Sequence, residues 1–212
     1  MTNLWMKPNF PPLSSMNAES LEDGELSSVC AQGLSFEELS FQKTEFSTVK
    51  FSGCKFKNCD FYRASFVKVL IENCSFANCR FEGSYWAEIF AEDCKLTGCD
   101  FAEAVFKEFM WREVCAQYTN FDSAVFRDVF FHKTKLINSA LTNCKIQGLK
   151  LVEADLSGTN CFKSYFSKTD LTDTQIDGIV LSRDFAELKG ATISPQQAGG
   201  LIQLLGIKVK SD

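Results

Sequence analysis

Every fifth residue from Phe36 to Leu181 is apolar, and the phase never slips. The series holds 30 positions: 15 Phe, 7 Leu, 3 Ile, 2 Trp, 2 Ala and 1 Cys. None is charged, Gly or Pro. The chain has 21 Phe in all, so most of its Phe content lies in a single phase of the repeat. Two residues before each of these positions, 24 of 30 are Ala, Cys, Ser, Thr or Val. The exceptions are Leu34, Leu39, Ile89, Phe109, Leu149 and Ile179.

This pattern excludes the ordinary elements. An amphipathic helix needs apolar residues three and four apart, and a half-buried strand needs sustained alternation. Here a small and a large inward residue, one outward residue between them, recur every five. That is one short extended side, and the next two residues must turn a corner. Four sides close a square coil of roughly 20 residues, and the coils stack at the ~4.8 Å spacing of strands. The unbroken phase predicts a rod without protruding loops. Ala91 and Ala116, the smallest members of the series, are where the regularity is expected to fail.

Units such as KNCDF, ANCRF, VEADL and SKTDL resemble the pentapeptide repeat family, over residues 34–183 and weakly back to Leu21 and Leu26. The resemblance implies an all-β fold, a right-handed quadrilateral β-helix closed by a short C-terminal helical cap. Three regions are expected: an N-terminal arm (1–20), the β-helix (21–183) and a cap (184–212).

Ser194-Pro195-Gln196-Gln197 carries the start signal of that cap helix: a Ser N-cap, Pro at the first helical position and Gln three after the cap. Ala198, Leu201, Ile202 and Leu205 then share a face, Gly206 is placed to stop the helix, and Ile207-Lys208-Val209-Lys210 alternates like an edge strand. This tail resembles the C-terminal end of the Qnr-like and MfpA-like group. That resemblance implies a homodimer built on Ala198, Leu201, Ile202, Leu205, Ile207 and Val209.

Catalytic chemistry is sparse. The chain has one His, His132, at a coil corner, and no zinc-hydrolase, Walker or glycine-rich phosphate motif. The reading is of a non-enzyme that needs no cofactor or metal. Six of the ten Cys form two series 20 residues apart, Cys54/Cys74/Cys94 and Cys59/Cys79/Cys99. All six fall at the small inward position, so they read as core packing, since zinc needs four ligands converging on one point. With no apolar run of ~20 residues and no secretion signal, a cytoplasmic protein with reduced thiols and no membrane contact is expected.

The outward positions carry what distinguishes this chain. One column reads Lys50, Leu70, Phe90, Met110, Phe130, Lys150, an apolar strip suited to a partner or to the N-terminal arm. Its neighbour reads Ser65, Tyr85, Val105, Val125, Lys145, Tyr165. From Glu82 to Asp128 there are ten acidic and four basic residues, and from Val129 to Lys168 two acidic and six basic. Glu88, Glu108 and Asp128 fall 20 apart, in one column, with Glu92, Asp93 and Glu113 nearby. Evenly spaced carboxylates on a rod suit a cationic groove built for phosphates. The net charge of −5 argues against direct nucleic-acid binding. The Qnr-like resemblance implies a protein that imitates DNA on a type II topoisomerase, DNA gyrase or topoisomerase IV, and protects it from quinolones or a peptide toxin. The other reading is a structural interaction module whose unrelated partner docks on Leu70, Phe90, Met110 and Phe130.

Overall fold

The computed structural model describes residue 7, residues 14–15 and residues 24–208. Most of the expected N-terminal arm, together with Leu21, Val209 and Lys210, lies outside the described residues.

The chain is a parallel β-solenoid of square cross-section. Its strands are β1 (Ser14–Ser15), β2 (Glu25–Ser27), β3 (Val29–Gln32), β4 (Ser35–Glu37), β5 (Glu45–Ser52) and β6 (Lys55–Lys57). They continue as β7 (Ser65–Glu72), β8 (Ser75–Ala77), β9 (Tyr85–Glu92), β10 (Val105–Arg112), β11 (Val125–His132) and β12 (Lys145–Val152). One sheet runs β1-β3-β5-β7-β9-β10-β11-β12, with β2 also on β5, and a second runs β4-β6-β8. From β5 to β12 every partner lies 20 residues on, as in Phe46↔Phe66, Tyr85↔Val105 and Phe130↔Lys150. Isolated bridges keep the same offset on the remaining sides, down to Asn160↔Val180.

The eight-residue strands are two sides of the square joined through a corner. Thr48, Lys68, Glu88, Glu108 and Asp128 turn it with φ of 57°, 55°, 56°, 51° and 52°. The next corner uses the same left-handed conformation at Asn73, Asp93, Glu113 and Lys133. Non-glycine residues reach this region at a cost of about 1 kcal/mol each, and the stacked coils hold them there through hydrogen bonds such as Asn73 N to Glu92 O at 3.0 Å.

The interior follows the five-residue series. Of the 30 positions, all but Phe36, Ile146 and Leu181 are buried, so the inward assignment holds along the rod. Phe rings stack in vertical files at the strand spacing: Phe56 on Phe76 at 4.6 Å and 2°, Phe61 on Phe81 at 4.7 Å, Phe81 on Phe101 at 4.8 Å. The ladder repeat sets the ring separation, and ring centroids that close are in favourable contact. Both cysteine series lie inside. Cys54, Cys59 and Cys99 donate to the carbonyls of Ala31, Phe36 and Phe76, one coil back.

Ala91 and Ala116 do not interrupt the coil. Ala91 is buried and pairs in register with Ile71 and Trp111. The large residue at a normally small position, Phe109, leans toward Ala91's coil, its ring 6.2 Å from Trp86 and 5.2 Å from Trp111. Trp111 reaches the opposite wall, 6.1 Å from both Phe101 and Phe121, across the space beside Ala116. Volume lost at each Ala is supplied by a neighbour, so the expected irregularity is absent.

The period ends at the C-terminal cap. Asp170 pairs with Thr192, two residues beyond the regular offset, because a 3-10 turn, Ala186–Leu188, is inserted. Helix α1 (Pro195–Leu204) follows with the expected capping box: Gln197 N donates to Ser194 Oγ at 3.3 Å and Ser194 N to Gln197 Oε1 at 2.6 Å. Gln197 also donates to the carbonyls of Leu171 and Thr174, fastening the helix over the last coil. Gly206 follows the C-cap Leu205 with φ +75°.

Candidate interaction face

One side of the square, the side that carries residue 90, collects most of the outward features singled out in the sequence. Its floor is the strip Leu70, Phe90, Met110 and Phe130, in register across β7, β9, β10 and β11. One edge is the corner column Glu88, Glu108, Asp128. The other edge is the next corner, with Asp93 stacked on Glu113 and Glu92 just inside. The repeat forces this arrangement, because residues 20 apart share a column and the corners at 88 and 93 bound the side at 90. An apolar floor therefore lies between two acidic rims.

The rims differ in how their charges are engaged. Glu88 and Asp128 are exposed. Glu108 lies 3.5 Å from the neighbouring Lys107 ammonium. Glu92 pairs with Arg112, whose guanidinium carbon also sits 5.1 Å over the Phe90 ring. Gly148 ends the first column, and any side chain there would crowd Asp128. Toward the cap the second rim changes sign, where Lys133 lies 3.9 Å from Glu153. His132 sits beside the floor, its ring 6.1 Å from Phe130 and its Nε2 3.6 Å from Glu153 Oε1.

The floor itself is not bare to solvent, contrary to the expectation from its outward position. Leu70, Phe90 and Met110 are 3%, 3% and 5% exposed, and they form an apolar cluster separate from the core with Phe130 packed against it. The neighbouring outward column is open, with Tyr85 at 39% and Tyr165 at 54%. Outward geometry alone therefore does not bury the strip. Glu72, at its edge, is buried and takes ion pairs from Lys7 and, at 3.0 Å, from Lys50. Burial by itself would raise the Glu72 carboxyl's pKa, but the two ammonium groups outweigh it and hold the pKa below its ordinary value. Glu72 was not among the residues singled out from the sequence. Its signal was present as an acidic residue two places after the strip's Leu70, with a lone Lys7 in the apolar N-terminal stretch.

The tail separates into two roles. Leu201 is buried against the core, and Ala198 is half-buried. Ile202, Leu205 and Ile207 are exposed, as are Leu204 and Val180. Leu204 and Leu205 border a hollow of about 550 Å³ that also involves Val180, Arg183 and Phe185. Among the described residues, no three His, Cys, Asp or Glu side chains gather as a metal site. No helix is long and apolar enough to cross a membrane there either.

Pentapeptide-repeat family models match residues 41–88, with nine copies, and residues 74–108, with eight. The chain is a pentapeptide repeat protein. Among solved structures it resembles a trypsin-treated form of QnrB1, a plasmid-mediated fluoroquinolone resistance protein. The identity is 21%, covering 86% of this chain and all of that one, with a TM-score of 0.55. Full-length QnrB1 matches at 20% identity over 84% of this chain and 100% of that chain, with a TM-score of 0.46. HetL, a pentapeptide repeat protein involved in heterocyst differentiation regulation in the cyanobacterium Nostoc, matches at 17% identity. It covers 78% of this chain and 89% of that one, with a TM-score of 0.28. At 21% identity the likeness to the trypsin-treated form speaks for the fold alone. No curated protein matches the sequence.

Proposed function

We propose that this pentapeptide repeat protein acts without catalysis, as a DNA-mimicking ligand of a type II topoisomerase, DNA gyrase or topoisomerase IV, and protects it from quinolones or a gyrase-poisoning peptide. The observation that carries the reading is the pair of acidic rims on one straight face: Glu88, Glu108 and Asp128 on one edge, Asp93 and Glu113 on the other. Stacked coils place successive carboxylates at the ~4.8 Å strand spacing. A DNA strand places phosphates at ~3.4 Å along the axis, so each rim offers a charge row of comparable density. Such rows suit a protein groove evolved to attract a polyanion. The described fold of QnrB1 supports the reading, since a fluoroquinolone resistance protein shares the solenoid. The exposed Ile202, Leu205 and Ile207 suit a second copy, which would double the rod.

Supercoiling by purified gyrase, with and without ciprofloxacin, tests it. The protein is expected to alter supercoiling or relieve the drug, and the triple change Glu88→Lys, Glu108→Lys and Asp128→Lys to abolish the effect. No change at micromolar protein sinks the proposal.

A different class of partner, docked on the apolar strip, is the second reading, and the separate cluster of Leu70, Phe90 and Met110 favours it. Because that cluster is buried, such a partner would first have to displace what lies over it. The double change Phe90→Ser with Phe130→Ser should then abolish capture of the partner and leave topoisomerase activity untouched.

A further inference from the structure

We propose that the apolar strip is the seat of the chain's own N-terminal segment, Leu4 to Phe10, which lies lengthwise between the acidic rims as a strap. Three observations place it there. The first is the burial of Leu70, Phe90 and Met110 beside an equivalent outward column that is open. The second is the path of the chain. Ser15 pairs with Cys30, Cys30 with Lys50, Lys50 with Leu70 and Leu70 with Phe90, so β1 stands at the head of the strip's own column. The third is Lys7, whose ammonium pairs with Glu72 at the strip's edge. The Lys7 ammonium therefore reaches the rung of Leu70, three rungs along the rod from Ser15.

Reach and chemistry agree with that path. The rungs from Leu70 to Phe130 span about 14 Å at the strand spacing. The six residues before Lys7 extend up to ~20 Å at ~3.3 Å each. Leu4, Trp5 and Met6, with Met1, are the apolar residues within that reach, and they match a floor of Leu, Phe and Met. Pro8, Pro11 and Pro12 favour an extended backbone and remove amide donors, so side-chain packing and the Lys7–Glu72 pair supply the attachment. The strap closes the floor while the carboxylates of Glu88, Asp128, Asp93 and Glu113 stay at the edges, so a partner of the closed form meets charge, and a partner of the floor competes with the strap.

Trp5 reports on the seat. The full-length chain and its Trp5→Phe variant are compared by fluorescence, and the difference spectrum isolates Trp5 from the core residues Trp86 and Trp111. A blue-shifted component protected from acrylamide is expected, and Lys7→Glu or Phe90→Ser with Phe130→Ser should turn it red-shifted and quenchable. Solvent-like Trp5 emission in the unaltered chain overturns the proposal. Protection that vanishes on dilution to nanomolar protein also overturns it, by assigning the strip to the segment of a second copy. Should the serine variant not fold by circular dichroism, deletion of residues 2–12 decides: a several-fold rise in binding of an apolar dye supports the strap, and no rise refutes it.

Discussion

Gly148 closes the acidic corner column directly beyond Asp128: a Cβ on Gly148 would lie 2.6 Å from Asp128 Oδ1 and 3.4 Å from its Cα. Its φ of +75° is one that L side chains adopt at a cost of about 1–2 kcal/mol. Gly148→Ala should therefore lower stability by at least that amount, read from a urea midpoint, and push the Asp128 carboxylate out of its place in the row. Combining it with Asp128→Ala should recover the steric part and leave the backbone part. Strict additivity of the two changes would mean that the residues do not touch.

The exchange of bulk between Phe109 and Ala91 makes a second prediction. Phe109 is buried and within 5.0 Å of Phe106 and 5.2 Å of Trp111. Phe109→Ala should cost ~3–5 kcal/mol as a core truncation, toward the upper end because Ala91 cannot fill the space. Ala91→Ile in that background should restore part of the loss, whereas in the native background it should overpack and destabilise. Phe101→Ala, in the file between Phe81 and Phe121, should cost a similar ~3–5 kcal/mol and serves as the reference.

The core was legible because a period of five fixes which side chains share the interior, and neither Phe101 nor Cys74 needed a tertiary contact to be placed. Three features were not. The left-handed corners at Glu88 and Asp93 are set by stacked backbone hydrogen bonds, although the run of Gly53, Asn58, Asn73, Asn78 and Gly83 at equivalent positions signalled them. Size compensation at Ala91 and Ala116 depends on residues in the adjoining coil or on the opposite wall, which a column-by-column reading does not compare. The ion pair at the edge of the strip brings in Lys7, 65 residues from Glu72 in sequence and outside the repeat. The acidic columns were legible as columns, but that they flank the strip follows from counting corners around the square.

Thiol chemistry separates core from surface. Eight cysteines are buried, and only Cys30 and Cys115 are partly exposed. Burial pushes the Cys144 thiol up to about 12, and the same cause raises Cys161 further. Thiolate is the reactive form; hydrogen bonds from Cys99 and Cys74 lower the Cys79 and Cys94 thiols, but both are buried away from a reagent. An aromatic disulfide reagent at pH 8 should therefore titrate at most Cys30 and Cys115 in the native chain and all ten in denaturant. Rapid modification of Cys54, Cys74 or Cys94 in the native state, mapped by mass spectrometry, would contradict the ladder assignment.

Glu187 ties the cap to the last regular coil. Its carboxylate accepts from Lys163 N at 2.9 Å, Ser182 N at 3.1 Å and the Ser182 hydroxyl at 2.7 Å. Burial opposes the charged form, but these donors prevail and leave its pKa below the usual carboxylate value of 4.5. A lowered folded-state pKa contributes stability above the unfolded value, and that contribution is lost as pH falls through the folded value. The cap should therefore loosen on acidification from neutrality through about pH 4 and below. Hydrogen exchange at Phe166, Lys168 and Leu171 reports it, because their amides bond to Glu187, Gly190 and Thr192 of the cap. Glu187→Gln keeps the shape but turns one acceptor into a donor facing N–H groups. It should speed exchange at those three amides at pH 7 and remove much of their acid sensitivity, leaving Phe101 and Phe121 protected. Equal acid sensitivity in both proteins would place the titrating group elsewhere.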